Sequence, residues 1–86
     1  MIDYEKLFSG NALAGFREMK KNFPFDSEKD YLIALENDGC QYPAFVGVAA
    51  NISQSKKVLR IAYNRAKGTD LKPVLIKNGR HVSFVI

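Results

Sequence analysis

Apolar residues recur along this chain at two different spacings, and the changes between them divide it into helical and extended stretches. Between residues 3 and 22, Leu13, Phe16 and Met19 follow one another at three-residue intervals and Phe23 comes four later, one apolar stripe on a helix. Asp3 and Glu5 stand at the start of this stretch and Lys20 and Lys21 at its end, the order that complements a helix dipole. Ser9-Gly10-Asn11 interrupts the stripe, so the pattern predicts a short first turn and a second helix from about Asn11, with Asn11 as its cap. Phe23-Pro24 ends the element, because the residue before proline is driven toward extended geometry.

From Tyr31 to Ala49 the pattern predicts two strands joined by a two-residue type I′ turn at Asp38-Gly39. Counting outward from that turn pairs Leu35 with Tyr42, Ile33 with Ala44 and Tyr31 with Val46 on one face of a partly covered sheet. Glu36/Gln41, Ala34/Pro43 and Leu32/Phe45 fall on the other, with Pro43 facing outward on an edge strand. Ser53 to Lys67 then reads as a helix, capped by Asn51 or Ser53 and stopped by Gly68. Val58, Leu59, Ala62 and Ala66 form its apolar stripe with Ile61 on the border, and Lys56, Lys57, Arg60, Asn64 and Lys67 occupy its other face. Pro73 to Ile86 is a second hairpin around Asn78-Gly79. The expected fold is α+β, helix–β-hairpin–helix–β-hairpin (αββαββ) with a small antiparallel sheet, as a single compact domain over residues 1–86. The two halves share an architecture at most, since no residue identity links them.

Residues 30–86 support an alternative. Tyr31 to Gly39 as a first helix, Pro43 to Ala50 as a second, Asn51-Ile52-Ser53 as a tight turn, Ser53 to Lys67 as a third helix and Lys72 to Ile86 as a hairpin make a pattern that resembles the winged helix-turn-helix family of DNA-binding domains. Asn51 stands where that family commonly places glycine, and asparagine tolerates left-handed geometry. The resemblance implies that Gln54, Ser55, Lys56, Lys57 and Arg60 face the major groove while Lys77 and Arg80, at the tip of the wing, touch the adjacent backbone.

Composition narrows the setting. Apolar residues make up 47% of the 86, enough for one core, while so small a domain has modest stability and is open to self-association as a homodimer. Cys40 is the only cysteine, so an intramolecular disulfide is excluded and a reducing, intracellular compartment is expected. Met-Ile-Asp-Tyr-Glu-Lys lacks the basic region and apolar run of a signal peptide, and the longest uncharged stretch, Cys40 to Ser55, is too short and too mixed to span a membrane. A cytoplasmic location follows as the expectation.

Charge changes the picture most. The last 35 residues hold eight Lys/Arg (Lys56, Lys57, Arg60, Arg65, Lys67, Lys72, Lys77, Arg80) against Asp70 alone, a balance of +7; residues 1–51 hold five Lys/Arg against eight acids, a balance of −3, and the two add to the net +4. A face that serves only solubility interleaves its signs, so this asymmetry points to an anionic partner. Lys56, Lys57, Arg60, Asn64 and Lys67 on the helix, with Lys77 and Arg80 on the hairpin, are the candidate nucleic-acid-binding residues, duplex DNA being the expected partner; an acidic protein surface satisfies the same charge argument.

No other constellation competes. His81 is the sole histidine, opposite Ile76 on a strand, and reads as a surface residue. Cys40 has no partner that would make it a nucleophile. Asp26, Glu28 and Asp30 lack the glycine and terminal glutamate of a calcium loop. Gly10 and Gly15 are followed by Phe16-Arg17 and not by the Lys-Ser/Thr of a phosphate loop. Tyr31, Tyr42, Tyr63, Phe45 and Phe84 could include a base-stacking platform, although their periodicity reads first as core. The expectation is a non-enzymatic binding protein with neither metal nor cofactor, a nucleic-acid-binding regulatory or accessory factor, or else an interaction module or inhibitor that docks its basic helix on an acidic protein.

Overall fold

Tyr-Leu-Ile-Ala-Leu-Glu, residues 31–36, is apolar at five of six positions without alternation, and a strand of that kind is stable only with both faces covered. The computed structural model describes residues 3–37 and 43–82, and there this segment is β1 (Tyr31–Glu36), an inner strand of an antiparallel sheet. With β2 (Ala44–Ala49), β3 (Lys72–Lys77) and β4 (Arg80–His81) it forms four strands in the order β2-β1-β3-β4. Helix α2 (Ile52–Ala66) crosses one face of the sheet; α1 (Gly10–Asn22) and a 3₁₀ turn at Tyr4–Leu7 cover the other. The chain is thus a small α+β fold in three layers.

Alternation along β1 feeds the two cores. Ile33 and Leu35 pack with Ala49, Leu75 and the α2 residues Leu59, Ala62 and Ala66, whereas Leu32 and Ala34 pack with Ile76, Tyr4, Phe8 and Phe16. Leu32 and Ile33 are fully buried, each burial contributing about 1.5–3 kcal/mol. The α1-side core is aromatic: Phe8, Phe16 and Phe45 lie with ring centroids 5.3–5.6 Å apart, and Phe25 meets Phe16 edge-on at 5.8 Å.

Three local expectations change. The 3₁₀ turn at Tyr4–Leu7 is the short first turn, but α1 starts at Gly10 behind Ser9, so Asn11 lies inside the helix and is not its cap. The β1–β2 register differs: Tyr31 pairs with Ala49, Ile33 with Gly47 and Leu35 with Ala44, with Val46 bulged between Gly47 and Phe45. Packing explains the shift, because Val58 of α2 rests on Gly47 so closely that a Cβ there would stand 3.0 Å from its Cγ1. Sliding Ala44 opposite Ile33 would move that glycine from under the helix. Pro43, expected to face outward, is buried just ahead of β2; Asp38-Gly39, Cys40, Gln41 and Tyr42 lie outside the described residues, as do residues 83–86 of the second hairpin.

The winged-helix alternative requires helices where β1 and β2 stand, and it is overturned. The β-favouring run Phe45-Val46-Gly47-Val48 loses side-chain entropy and gains little as helix, but as a strand it caps both cores with Phe45, Val46 and Val48.

Asn51 caps α2, its side chain accepting from Gln54 N at 2.9 Å while Gln54 Oε1 accepts from Ala50 N at 3.1 Å, a reciprocal arrangement akin to a capping box. The second hairpin turns at Asn78 (φ 53°) and Gly79 (φ 75°), the type I′ geometry, with Lys77 paired to Arg80 and Ile76 to His81. From across the sheet edge Tyr4 holds this turn: its hydroxyl accepts from Gly79 N at 2.7 Å and donates to Ser27 O at 3.4 Å.

Burial raises the Tyr4 hydroxyl above its ordinary pKa of 10.0, with the Gly79 N–H acting in the opposite direction. The unfolded chain therefore ionises at this residue first, so the contribution is complete below pH 10 and is lost as the pH climbs through the folded-state value. Tyr4→Phe should cost about 1–2 kcal/mol in urea titrations at neutral pH. The gap between wild type and variant should narrow above pH 10; a gap constant across that range would mean that the hydroxyl is not held as described.

A candidate anion-binding face on α2 and the β3–β4 hairpin

Ser55, Leu59, Ala62 and Ala66 point α2 at the sheet, and Val58 above Gly47 identifies the flank of the helix that overhangs β2. The opposite flank carries Lys56, Arg60, Tyr63 and, just past the helix end, Lys67, and it looks toward β3. Tyr63, Ala66 and Lys67 there line a shallow hollow of about 400 Å³ with Leu71, Lys72 and Pro73. Lys57 and Asn64 sit on the crest, exposed.

The hairpin adds to the same side. Lys77 reaches over the ring of Tyr31, its Nζ 5.0 Å from the centroid, and Tyr31 packs against the α2-side core. Arg80 is the cross-strand partner of Lys77 and shares its face. Lys56, Arg60, Lys67, Lys77 and Arg80 are thus on the α2 side of the sheet, with Lys57 and Asn64 above them. Two residues that the winged-helix resemblance directs to DNA are otherwise engaged: Ser55 is buried, its hydroxyl donating to Asn51 O at 2.8 Å, and Gln54 closes the cap.

Among the described residues the cations of this face, like Lys6 and Lys29 of the N-terminal part, have no ion pair, whereas those of α1 do. On the α1 layer, Arg17 Nε meets Glu5 Oε1 at 2.8 Å, Lys20 meets Glu5 at 3.9 Å and stands over the Phe16 ring at 5.6 Å, and Lys21 meets Glu18 at 3.5 Å. Among the described residues no cation of α2 or of the hairpin tip has an ion-pair partner; Asp70, the one acid of the C-terminal part, accepts from Asn37 Nδ2 at 3.5 Å. The α1 side instead presents a cleft of about 700 Å³, where Asp3, Glu5, Asp26 and Glu28 surround Tyr4, Phe16 and Phe25.

The remaining candidates fall into place. His81 is exposed, its Nε2 3.7 Å from Glu36 Oε1. Asp26 and Asp30 serve their own loop, Asp30 Oδ2 accepting from Asp26 N at 2.7 Å and Asp26 Oδ1 from Glu28 N at 2.9 Å. Of the aromatic set, Phe45 and Tyr31 belong to the cores and Tyr63 is 44% exposed on the basic flank, while Tyr42 and Phe84 lie outside the described residues. Lys72, one of the eight C-terminal cations, lines the hollow at the start of β3, but it is the cross-strand partner of Glu36, which alternation places on the α1 face of the sheet. No protein-family model matches the chain, and no curated protein or solved structure shows significant similarity to it.

The turn that presents Lys77 and Arg80 depends on positive φ at Asn78 and Gly79, a region most side chains avoid. Gly79→Ala, which places a Cβ at φ 75°, should cost about 1–2 kcal/mol in urea unfolding, whereas Asn78→Gly should stay within about 0.5 kcal/mol of wild type. Similar losses from both would show that the turn is not type I′.

Proposed function

We propose that this protein binds nucleic acid, duplex DNA in the first place, as a non-enzymatic regulatory or accessory factor in the cytoplasm. The observation that carries the reading is a difference in charge between layers: Arg17, Lys20 and Lys21 of α1 stand beside carboxylates, and among the described residues no cation of α2 or of the β3–β4 hairpin tip does. Lys56 to Lys67 extends over about 16 Å of helix axis. Duplex DNA presents one negative charge per roughly 1.7 Å, so several phosphates lie within reach of the row and the hairpin at once.

Because α2 lies flat on the sheet, its flank and the hairpin tip approach a phosphate backbone more readily than base edges. Contacts of that kind position a protein on DNA without reading sequence. Lys57 and Asn64, on the exposed crest, are the side chains best placed for a groove.

Fluorescence anisotropy with a labelled duplex across a salt series tests the reading. Lys56→Ala with Arg60→Ala should weaken binding and reduce the salt slope by about one unit per lost phosphate contact. Lys20→Ala with Lys21→Ala should do little, because those two ammonium groups already have carboxylates beside them. Equal effects from the two pairs would mean diffuse attraction without a site. Absence of binding to DNA and RNA at low salt would remove the reading and assign the face to an acidic protein surface.

A further inference from the structure

β2 is an outer strand of the sheet, and its sequence, Ala-Phe-Val-Gly-Val-Ala, contains no charge and no proline. Natural edge strands are usually blunted by such residues, and within Ala44–Ala49 the bulge at Val46 is the device of that kind. Residues 44–48 remain exposed or half-buried although a helix lies on either side of them. Each helix also borders the edge with a row of side chains at the four-three-four spacing of a helix seam. On α2 the row is Gln54, Val58, Ile61 and Arg65, fixed over β2 by the Val58–Gly47 contact; on α1 it is Asn11, Gly15, Glu18 and Asn22, fixed by Gly15, whose Cβ position is 3.7 Å from the Phe45 ring.

Both rows are self-complementary when reversed. About a two-fold axis, Val58 of one copy meets Ile61 of the other and Gln54 meets Arg65; on the opposite layer Gly15 meets Glu18 and Asn11 meets Asn22. No like charges face each other, on a molecule whose net charge of +4 otherwise repels its own kind. Ile61 is 50% exposed and stands in the helix layer. A lone peptide strand added to β2 would leave it wet, since such a strand occupies only about 4.8 Å beside the sheet. Its cover must bring its own helix above its own edge strand.

We propose that β2 is the seam of a symmetric homodimer, in which the β2 strands of two copies pair antiparallel and the α2 and α1 rows close above and below them. Sedimentation of the full chain at up to about 100 µM tests this, with amide hydrogen exchange as a second readout. Wild type should sediment at twice the monomer mass of 9.7 kDa, with β2 amides protected only at concentrations where the dimer forms. Ile61→Lys, at an exposed site that leaves the circular dichroism unchanged, should weaken association tenfold or more, as should Gly15→Glu, which sets a carboxylate against Glu18 of the second copy. Ile52→Lys, 46% exposed on α2 but in neither row, should stay within about twofold of wild type. A monomer at about 100 µM, or a dimer that Ile61→Lys and Gly15→Glu both leave intact, overturns the proposal.

Discussion

β1 sends large apolar side chains to both of its faces, and neither face can be left in water. Leaving either Leu32 or Ile33 exposed would forfeit about 1.5–3 kcal/mol, a sizeable part of what a domain of this size has to spare. The sheet must therefore lie inside the molecule with helices on both sides, and the order β2-β1-β3-β4 follows from placing the most apolar strand away from the edges. α2 joins β2 to β3 over β1, which buries Ile33 and Leu35, while the N-terminal part folds back beneath to bury Leu32 and Ala34. Tyr4 ties that second layer to the hairpin turn 75 residues later, so the aromatic core and the tip carrying Lys77 and Arg80 are fastened to one another.

A sheet covered on both faces also acts as an electrical partition. Glu5 and Glu18 find Arg17, Lys20 and Lys21 in their own layer, and the apolar interior separates these pairs from the cations of α2. Lys56, Lys57, Arg60, Arg65 and Lys67 repel one another without relief from an acid on the helix, a cost that falls as salt screens the surface. Stability then rises on adding anions that approach this face, and an anionic partner recovers the same free energy on binding. The asymmetry seen along the sequence is thus a difference between two sides of the molecule, because the N-terminal and C-terminal parts supply different layers.

Local chemistry was legible from residues alone and long-range choices were not. Asn78-Gly79 specifies its turn by backbone geometry, and α2 carries its cap, stripe and stop within eighteen residues of sequence from Asn51 to Gly68. The β1–β2 register depended instead on Val58 finding space above Gly47, a contact between elements that no count outward from a turn can anticipate. The same holds for Tyr4, whose partners Ser27 and Gly79 are distant in sequence. The helix-turn-helix pattern matched spacing but ignored side-chain shape: Phe45, Val46 and Val48 are needed on both sides of a sheet, and one helix face cannot supply that.

β2 and β4, on opposite sides of the sheet, differ in charge, and the difference joins the proposed binding face to the proposed seam. β4, beside β3 on one side, carries Arg80 and His81 among the described residues, and the adjoining turn is held from below by Tyr4. β2, on the other, is neutral along its length. Antiparallel pairing of two β2 strands about an axis normal to the sheet keeps the same face of each copy on the same side, so two α2 helices lie next to one another above one continuous sheet. Their flanks rich in Lys and Arg then point outward, away from the seam, and both hairpin tips stand at the far ends of the same surface. A flank of that kind binds through many weak phosphate contacts, and doubling it within one rigid body raises affinity by effective concentration without any new type of contact. The apolar margin and the basic flank of α2 are opposite sides of one helix, so the heptad-like row that would hold two copies together is also what would direct both charged rows toward a common partner.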